Sequence, residues 1–160
     1  MTMRKLVLFA AAAGLMIVAP SFADTTDATK IKAGIGKWQW SESESNYSTG
    51  SYAKEQTMTI TKNDKTGIGV SQHVVLKDGK TIDWHIDAPY DDQMRHASQW
   101  MSFAFSRISD SQFHDRYKMD ADGEEGAETF TVTPTRITIK GSSMHQGKDM
   151  PYVEVWDRVE

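Results

Sequence analysis

Five histidines, His73, His85, His96, His114 and His145, are the first residues to test for chemistry. None forms an H-x-x-x-H pair, and there is no cysteine for any of them to share a metal with. If residues 68–76 and 82–86 pair as a hairpin, His73, Asp83, His85 and Asp87 gather on one sheet face. Two imidazoles and two carboxylates are a ligand set that suits zinc or copper. The same four residues read as well as a solvated face of cross-strand pairs. No spacing among them imposes a metal geometry, so the expectation is no metal and no cofactor. The paired acids Asp91-Asp92 and Glu124-Glu125 sit in polar stretches. General acid work needs a carboxyl whose surroundings shift its pKa, and the run from Asp120 to Glu128 reads as solvated. There is no G-x-S-x-G elbow, P-loop or H-E-x-x-H. With no cysteine, thiolate nucleophiles, thiolate zinc sites and disulfides are excluded.

Binding is the other chemistry on offer. Trp84, Phe103 and Phe105 fall on apolar faces of their strands, with Gln72 as a lone polar group facing the same way. Arg107 continues the Met101-Phe103-Phe105 face and is expected near a mouth. Aromatic walls with one or two polar anchors are how small-molecule sites look. A buried amide without a partner costs ~1–3 kcal/mol, so Gln72 calls for water, Arg107 or a ligand. The plainer reading is that these side chains fill a solid barrel.

The elements that would position them show a period of two. Apolar residues alternate at Trp38/Trp40, Met58/Ile60, Ile68/Val70/Val74/Leu76, Ile82/Trp84/Ile86, Met101/Phe103/Phe105, Phe113/Tyr117/Met119, Phe130/Val132, Ile137/Ile139 and Val153/Val155/Val159. In the last segment Glu154, Trp156 and Arg158 take the opposite face. Such alternation, rich in threonine and aromatics, marks half-buried strands. Turn residues separate them: Asn63 to Gly67, Lys77-Asp78-Gly79, Ser109-Asp110-Ser111, Asp120 to Gly126, Pro134-Thr135 and Gly141 to Asp149. Only 41–54 and 89–98 have room for a helical turn. Short links imply antiparallel neighbours. Eight or nine strands with one wet face avoid open edges by closing into an up-and-down barrel, with a sandwich as the alternative. One register follows from burial. A two-residue turn at Asp78-Gly79 pairs Lys77 with Lys80 and turns Val74 and Leu76 to solvent. A three-residue loop with Gly79 left-handed pairs Leu76 with Lys80, and sets Val74 opposite Ile82, Gln72 opposite Trp84 and Val70 opposite Ile86. Keeping apolar residues on one side selects the second.

The chain has 160 residues, 39% of them apolar and 10% aromatic. This bounds it to a single domain with a real core, not a disordered or collagenous chain. Residues 1–23 read as a signal peptide: Arg4 and Lys5, then the apolar stretch Leu6 to Ala19, then Pro20, with Ser21 and Ala23 before a cut ahead of Asp24. The apolar stretch would rise only ~21 Å as a helix, short of a ~30 Å hydrocarbon core, so no stable membrane span is expected. The expected organisation is a leader at 1–23, a loose arm at 24–34 and a barrel at 35–160, periplasmic or secreted. After the cut, 16 bases face 22 acids. That balance is a poor match for nucleic acid, whose binding rests on Lys and Arg neutralising phosphates. Asn46-Tyr47-Ser48 fits the N-glycosylation triplet, which arises often by chance.

Gly36-Lys37-Trp38 opens the first strand, and Gly-x-Trp there resembles the first-strand motif of lipocalins and the wider calycin group. The fuller set is Gly36 to Tyr47, Glu55 to Ile60, Asp78 to Trp84 and Tyr90-Asp91. It resembles a family of small exported bacterial lipocalin-like proteins. The resemblance implies a calycin-type barrel with Trp38 packed across one end and Arg158 covering its ring. The chain lacks a clear second lipocalin motif and a helix after the last strand, so no particular ligand is implied. The expected function is a barrel binding a small hydrophobic or amphipathic molecule at Gln72, Trp84, Phe103, Phe105 and Arg107. The alternatives are an envelope or partner-binding protein with a solid core, and a barrel enzyme using strand histidines.

Overall fold

The computed structural model describes residues 34–48, 50–119, 123–145 (backbone only at His145) and 147–159. Eleven strands run through these residues: β1 Gly36–Trp40, β2 Asn46–Tyr47, β3 Ala53–Asp64, β4 Gly67–Leu76, β5 Thr81–Ala88, β6 Arg95–His96, β7 Met101–Arg107, β8 Gln112–Met119, β9 Glu125–Val132, β10 Arg136–His145 and β11 Lys148–Arg158. Nine of them are the alternating segments expected from the sequence. The other two, β2 and β6, have two residues each, too few to display a period. A 3-10 turn at Glu42–Glu44 occupies the first of the two loops with room for helix. The expected leader and all of the arm but Gly34 lie outside the described residues. Among the described residues, no helix is long and apolar enough to cross a membrane.

The strands form one antiparallel sheet in the order β5-β4-β3-β1-β11-β10-β9-β8-β7-β6, with β2 also paired to β11. Pairing of β1 with β11 joins the first and last of these strands, and the sheet curls into a nearly closed barrel. The seam lies between β5 and the β6–β7 edge. There the His85 N–H donates to the Ala97 carbonyl at 3.5 Å, and the Asp92 N–H covers the Phe105 carbonyl at 2.9 Å. The Trp84 and Phe103 rings close the gap from inside, with centroids 4.7 Å apart. Unpaired strand edges invite association, and this seam hides most of one.

The β4–β5 hairpin has the register that burial selected. Val74 faces Ile82, Gln72 faces Trp84, Val70 faces Ile86 and His73 faces Asp83. The Leu76 N–H donates to the Lys80 carbonyl, and Gly79 has φ 86°, a left-handed conformation that glycine adopts without steric cost. In β3 a register shift between Ile60 and Lys62 moves the buried face from Gln56, Met58 and Ile60 to Asn63, the usual effect of an extra residue in one strand.

β11 departs from the expected reading. Its inward residues are Tyr152, Glu154 and Trp156, because they pair with Gly141, Ile139 and Ile137, and directly paired residues share a face. Val153 and Val155 lie on the other face, opposite Lys140 and Thr138. Residues 41–45 close over Val155, which is 8% exposed: its N–H donates to Ser45 Oγ and its carbonyl accepts from the Ser41 N–H.

One end of the barrel is packed solid. Trp38 is fully buried, among a cluster that includes Ile60, Ile68, Val132 and Ile137. Its indole N–H donates to the Gly34 carbonyl at 2.9 Å. The Arg158 guanidinium sits 4.3 Å from its ring centroid and donates to the Ile35 and Pro134 carbonyls. A cation over an indole face is attracted by the ring quadrupole, so Arg158 both covers Trp38 and ties two chain segments to it.

Candidate functional site: the barrel lumen

Above that plug the barrel holds a cavity of ≈ 500 Å³, within the ~300–1,000 Å³ span of small-molecule pockets. Trp84, Phe103 and Phe105 line it, and so does Gln72. They reach it because β4, β5 and β7 turn alternate residues inward. The aromatic wall continues through Phe113 and Phe130, stacked at 4.3 Å, to Trp156. Gln72 finds its partner in a residue not foreseen: its amide donates to Gln56 Oε1 at 2.8 Å from the neighbouring strand.

Arg107 does not join them. It is outside the lining, and its guanidinium donates to the Ser109 carbonyl and to Asp110 in the β7–β8 turn. These acceptors, two and three residues along the chain, hold the side chain locally. Trp38 and Arg158 also lie away from the cavity, at the plugged end.

What lines the lumen instead is acid. Asp115, Glu128 and Glu154 all face it, and Glu124 stands on its lining as well. A single sheet row explains part of this. Phe105 pairs with Asp115, Asp115 with Glu128, Glu128 with Gly141, Gly141 with Tyr152, and Tyr152 with Tyr47. Paired residues point to the same side, so the row runs across six strands of the inner wall. The next row carries Phe113, Phe130, Ile139 and Glu154. Gly141 is small for a visible reason. A Cβ there would lie 2.8 Å from the Tyr152 ring and hydroxyl and 2.9 Å from Glu128 Cγ. Its absence lets the Tyr152 hydroxyl cross over and donate to Glu128. Gly126 makes room for Tyr117 in the same way.

The acids are held by phenols and indole. Tyr47 donates to Glu154 Oε1, and the Trp156 N–H donates to Glu154 Oε2 at 2.9 Å. The Tyr117 and Tyr152 hydroxyls stand 3.3 Å apart. Asp115 is 1% exposed and its Oδ1 has no partner. Burial pushes the Glu128 carboxyl up to about 8, with the Glu154 charge adding to the shift. Burial likewise raises Glu154, and holds Asp115 well above its usual range with help from the charges of Glu128 and Glu154. The phenols of Tyr47, Tyr117 and Tyr152 are raised by burial too and stay protonated.

The sequence contains the signal for these acids. Asp115 falls between Phe113 and Tyr117, Glu128 is two residues before Phe130, and Glu154 two before Trp156. Period two extended through each polar residue puts Asp115 and Glu128 inside with their aromatic neighbours and sets Glu154 on the same face as Trp156, a face that only the pairing with Ile137 and Ile139 turns inward. Reading the stretch to Glu128 as solvated loop misses that β9 begins at Glu125.

The histidines are elsewhere. His73 bonds Asp83 at 2.6 Å, and His85 bonds Ser71 at 2.9 Å with Asp87 at 3.5 Å, on the outer face of β4–β5. His96 meets Ser102, and His114 lies 3.4 Å from Thr129. Among the described residues no group of three or more His, Asp or Glu side chains is placed to hold a metal ion. Asp91 pairs with Arg95 at 2.7 Å and Asp92 with Arg116 at 3.1 Å, both at the surface.

No protein-family model matches the chain, and no curated protein matches it. Solved structures do match in shape. The fluorescent protein UnaG superimposes with TM-score 0.55 at 12% identity, over 81% of this chain and 99% of that one. Secretory abundant heat soluble protein 4 from Ramazzottius varieornatus gives TM-score 0.54 at 9% identity, over 81% and 96%. A redesigned β-barrel gives TM-score 0.55 at 11% identity, over 82% and 96%. What this chain shares with these calycin-type neighbours is the fold: a nearly closed, all-β antiparallel barrel of about ten strands.

Proposed function

We propose that this protein is an exported barrel that binds a small hydrophobic or amphipathic molecule in its lumen. The observation that carries this reading is the ≈ 500 Å³ space enclosed by Trp84, Phe103, Phe105, Phe113 and Phe130, with polar groups converging at one side. A packed interior would leave no such space, since protein cores hold few voids larger than a water molecule. The open lumen favours the binding reading over the solid-core alternative. The enzyme alternative relied on strand histidines, and none of those described lines the lumen. Export rests on the leader pattern at 1–23.

Two measurements test the proposal. Native mass spectrometry of protein purified from its own host is expected to show a retained adduct of small-molecule mass. Titration with fatty acids, retinoids, flavonoids and haem is expected to change tryptophan fluorescence for at least one class, because Trp84 and Trp156 line the cavity. No adduct and no response to any class defeats the reading. Asp24 as the first residue of the mature chain is the expected outcome of N-terminal sequencing, and an intact Met1 would defeat export by this leader.

A further inference from the structure

We infer that the lumen selects an organic cation, an ammonium-type head held among Asp115, Glu128 and Glu154 with an apolar body against Trp84, Phe103 and Phe105. The inference rests on the small-molecule reading above and deepens it.

The first observation is the sign of the lining. Four acids stand on it, and among the described residues no Lys, Arg or His does. A carboxylate or phosphate head would meet three acids and no counter-charge. The second is a deficit. Asp115 is 1% exposed on the lumen wall, and its Oδ1 has no donor. Buried polar atoms are nearly always satisfied, and one that is not calls for a missing partner. A neutral hydrocarbon would leave that atom as it is, whereas an ammonium brings up to three donors and a positive charge. The third is the wall itself. Trp84 and Phe103 are 4.7 Å apart, and Phe103 and Phe105 stack at 5.8 Å. Aromatic faces attract cations, most strongly where water is excluded. A bare metal ion is the poorer fit, because the described acids are not grouped to coordinate one and the space is far larger than an ion.

Charge balance makes the binding pH-dependent. The titratable groups facing the head are Asp115 and Tyr117 from β8, Glu128 from β9, Tyr152 and Glu154 from β11 and Tyr47 from β2, with Glu124 and Tyr52 on the lining beyond them. In the empty barrel part of this cluster is protonated. An arriving cation favours the ionised form, so binding releases protons and tightens as pH rises through the range in which Glu128 titrates.

The test uses three probes with one body: 4-phenylbutylamine, 4-phenylbutanol and 4-phenylbutyrate, titrated into the mature protein by tryptophan fluorescence and calorimetry. The amine is expected to bind roughly tenfold or more tighter than the alcohol, the factor a desolvated cation–aromatic contact alone supplies, and the butyrate weakest of all. The amine is expected to bind more tightly at pH 8 than at pH 6, with proton release. In the Glu128→Gln and Glu154→Gln variants the amine-to-alcohol affinity ratio falls toward one, with far-ultraviolet circular dichroism showing that each variant is folded. Alcohol or butyrate binding as tightly as the amine overturns the inference and leaves the small-molecule reading standing. An unchanged amine-to-alcohol ratio in both variants overturns it too. Silence from the amine overturns the inference, and the small-molecule reading is then decided by its own adduct and titration tests.

Discussion

Buried acids in the lumen should make the fold itself pH-sensitive, in the direction opposite to most proteins. The perturbation is pH between about 4.5 and 8, with Glu128→Gln as its control. Glu128 is raised from 4.5 to about 8 by burial and by the charge of Glu154. A carboxyl raised by folding holds a proton that the unfolded chain gives up, so stability falls as pH rises across the interval between the two values. This contribution is fully present below about pH 4.5 and gone by about pH 8. At roughly 1.4 kcal/mol per pH unit, the interval amounts to about 5 kcal/mol, and water entering the lumen lowers it toward roughly 2 kcal/mol. Asp115 and Glu154 are raised as well, so the three ionise as one cluster and the loss is spread over the interval. The surface works the other way: Asp64, Asp78 and Asp91 are lowered by hydrogen bonds from Thr66, Lys80 and Arg95, and their contribution is lost in acid. The optimum therefore falls in mildly acidic solution. Urea unfolding followed by tryptophan fluorescence at several pH values measures this directly. Wild type is expected to lose at least about 1 kcal/mol between pH 5.5 and 8, with a visibly flatter profile in Glu128→Gln. A wild-type profile that is level or rises over that range refutes the reasoning. Identical profiles for both proteins remove Glu128 as the cause.

Other substitutions test single parts. Gly141→Ala drives a methyl into Tyr152 and Glu128 and should cost ~1–3 kcal/mol by thermal melting, as overpacking does. It should also weaken ligand binding, because Tyr152 can no longer cross to Glu128. Arg158→Ala removes the cation over Trp38 and the bond to the Ile35 carbonyl; a loss of ~1–2 kcal/mol is expected in chemical unfolding, with the lumen still able to bind. Trp84→Ala takes away the ring that meets Phe103 across the seam. It should lower ligand affinity roughly tenfold and speed amide exchange in β5 first, since an opened edge exchanges soonest. Gly79→Ala places a side chain at φ 86° and should cost ~1 kcal/mol without changing binding.

Much of the barrel was legible in the residues. Turn chemistry at Lys77-Asp78-Gly79 and the need to bury Val70, Val74, Ile82 and Ile86 together admit one register, and the structure has it. Those constraints are local: a short loop, a period of two and one apolar face. β11 shows where local reasoning stops. Val153 and Val155 alternate as plausibly as Tyr152 and Trp156, and each row has a claim to the inside. Only the partners on β10, with Ile137 and Ile139 already facing inward, decide which row turns in.

The residues of this chain determined on their own that it is a single antiparallel β domain with Trp84, Phe103 and Phe105 turned inward, because side-chain alternation is built into every strand and needs no neighbour. Curling decided the rest. Asp115, Glu128 and Glu154 come from three strands and are separated by up to 39 positions in sequence, and what makes them a site is that the curled sheet turns them into one shared lumen. Each is an ordinary acid when read alone. Their shared burial, the hydroxyls that reach them and the absence of any base among the described lining residues are properties of the barrel.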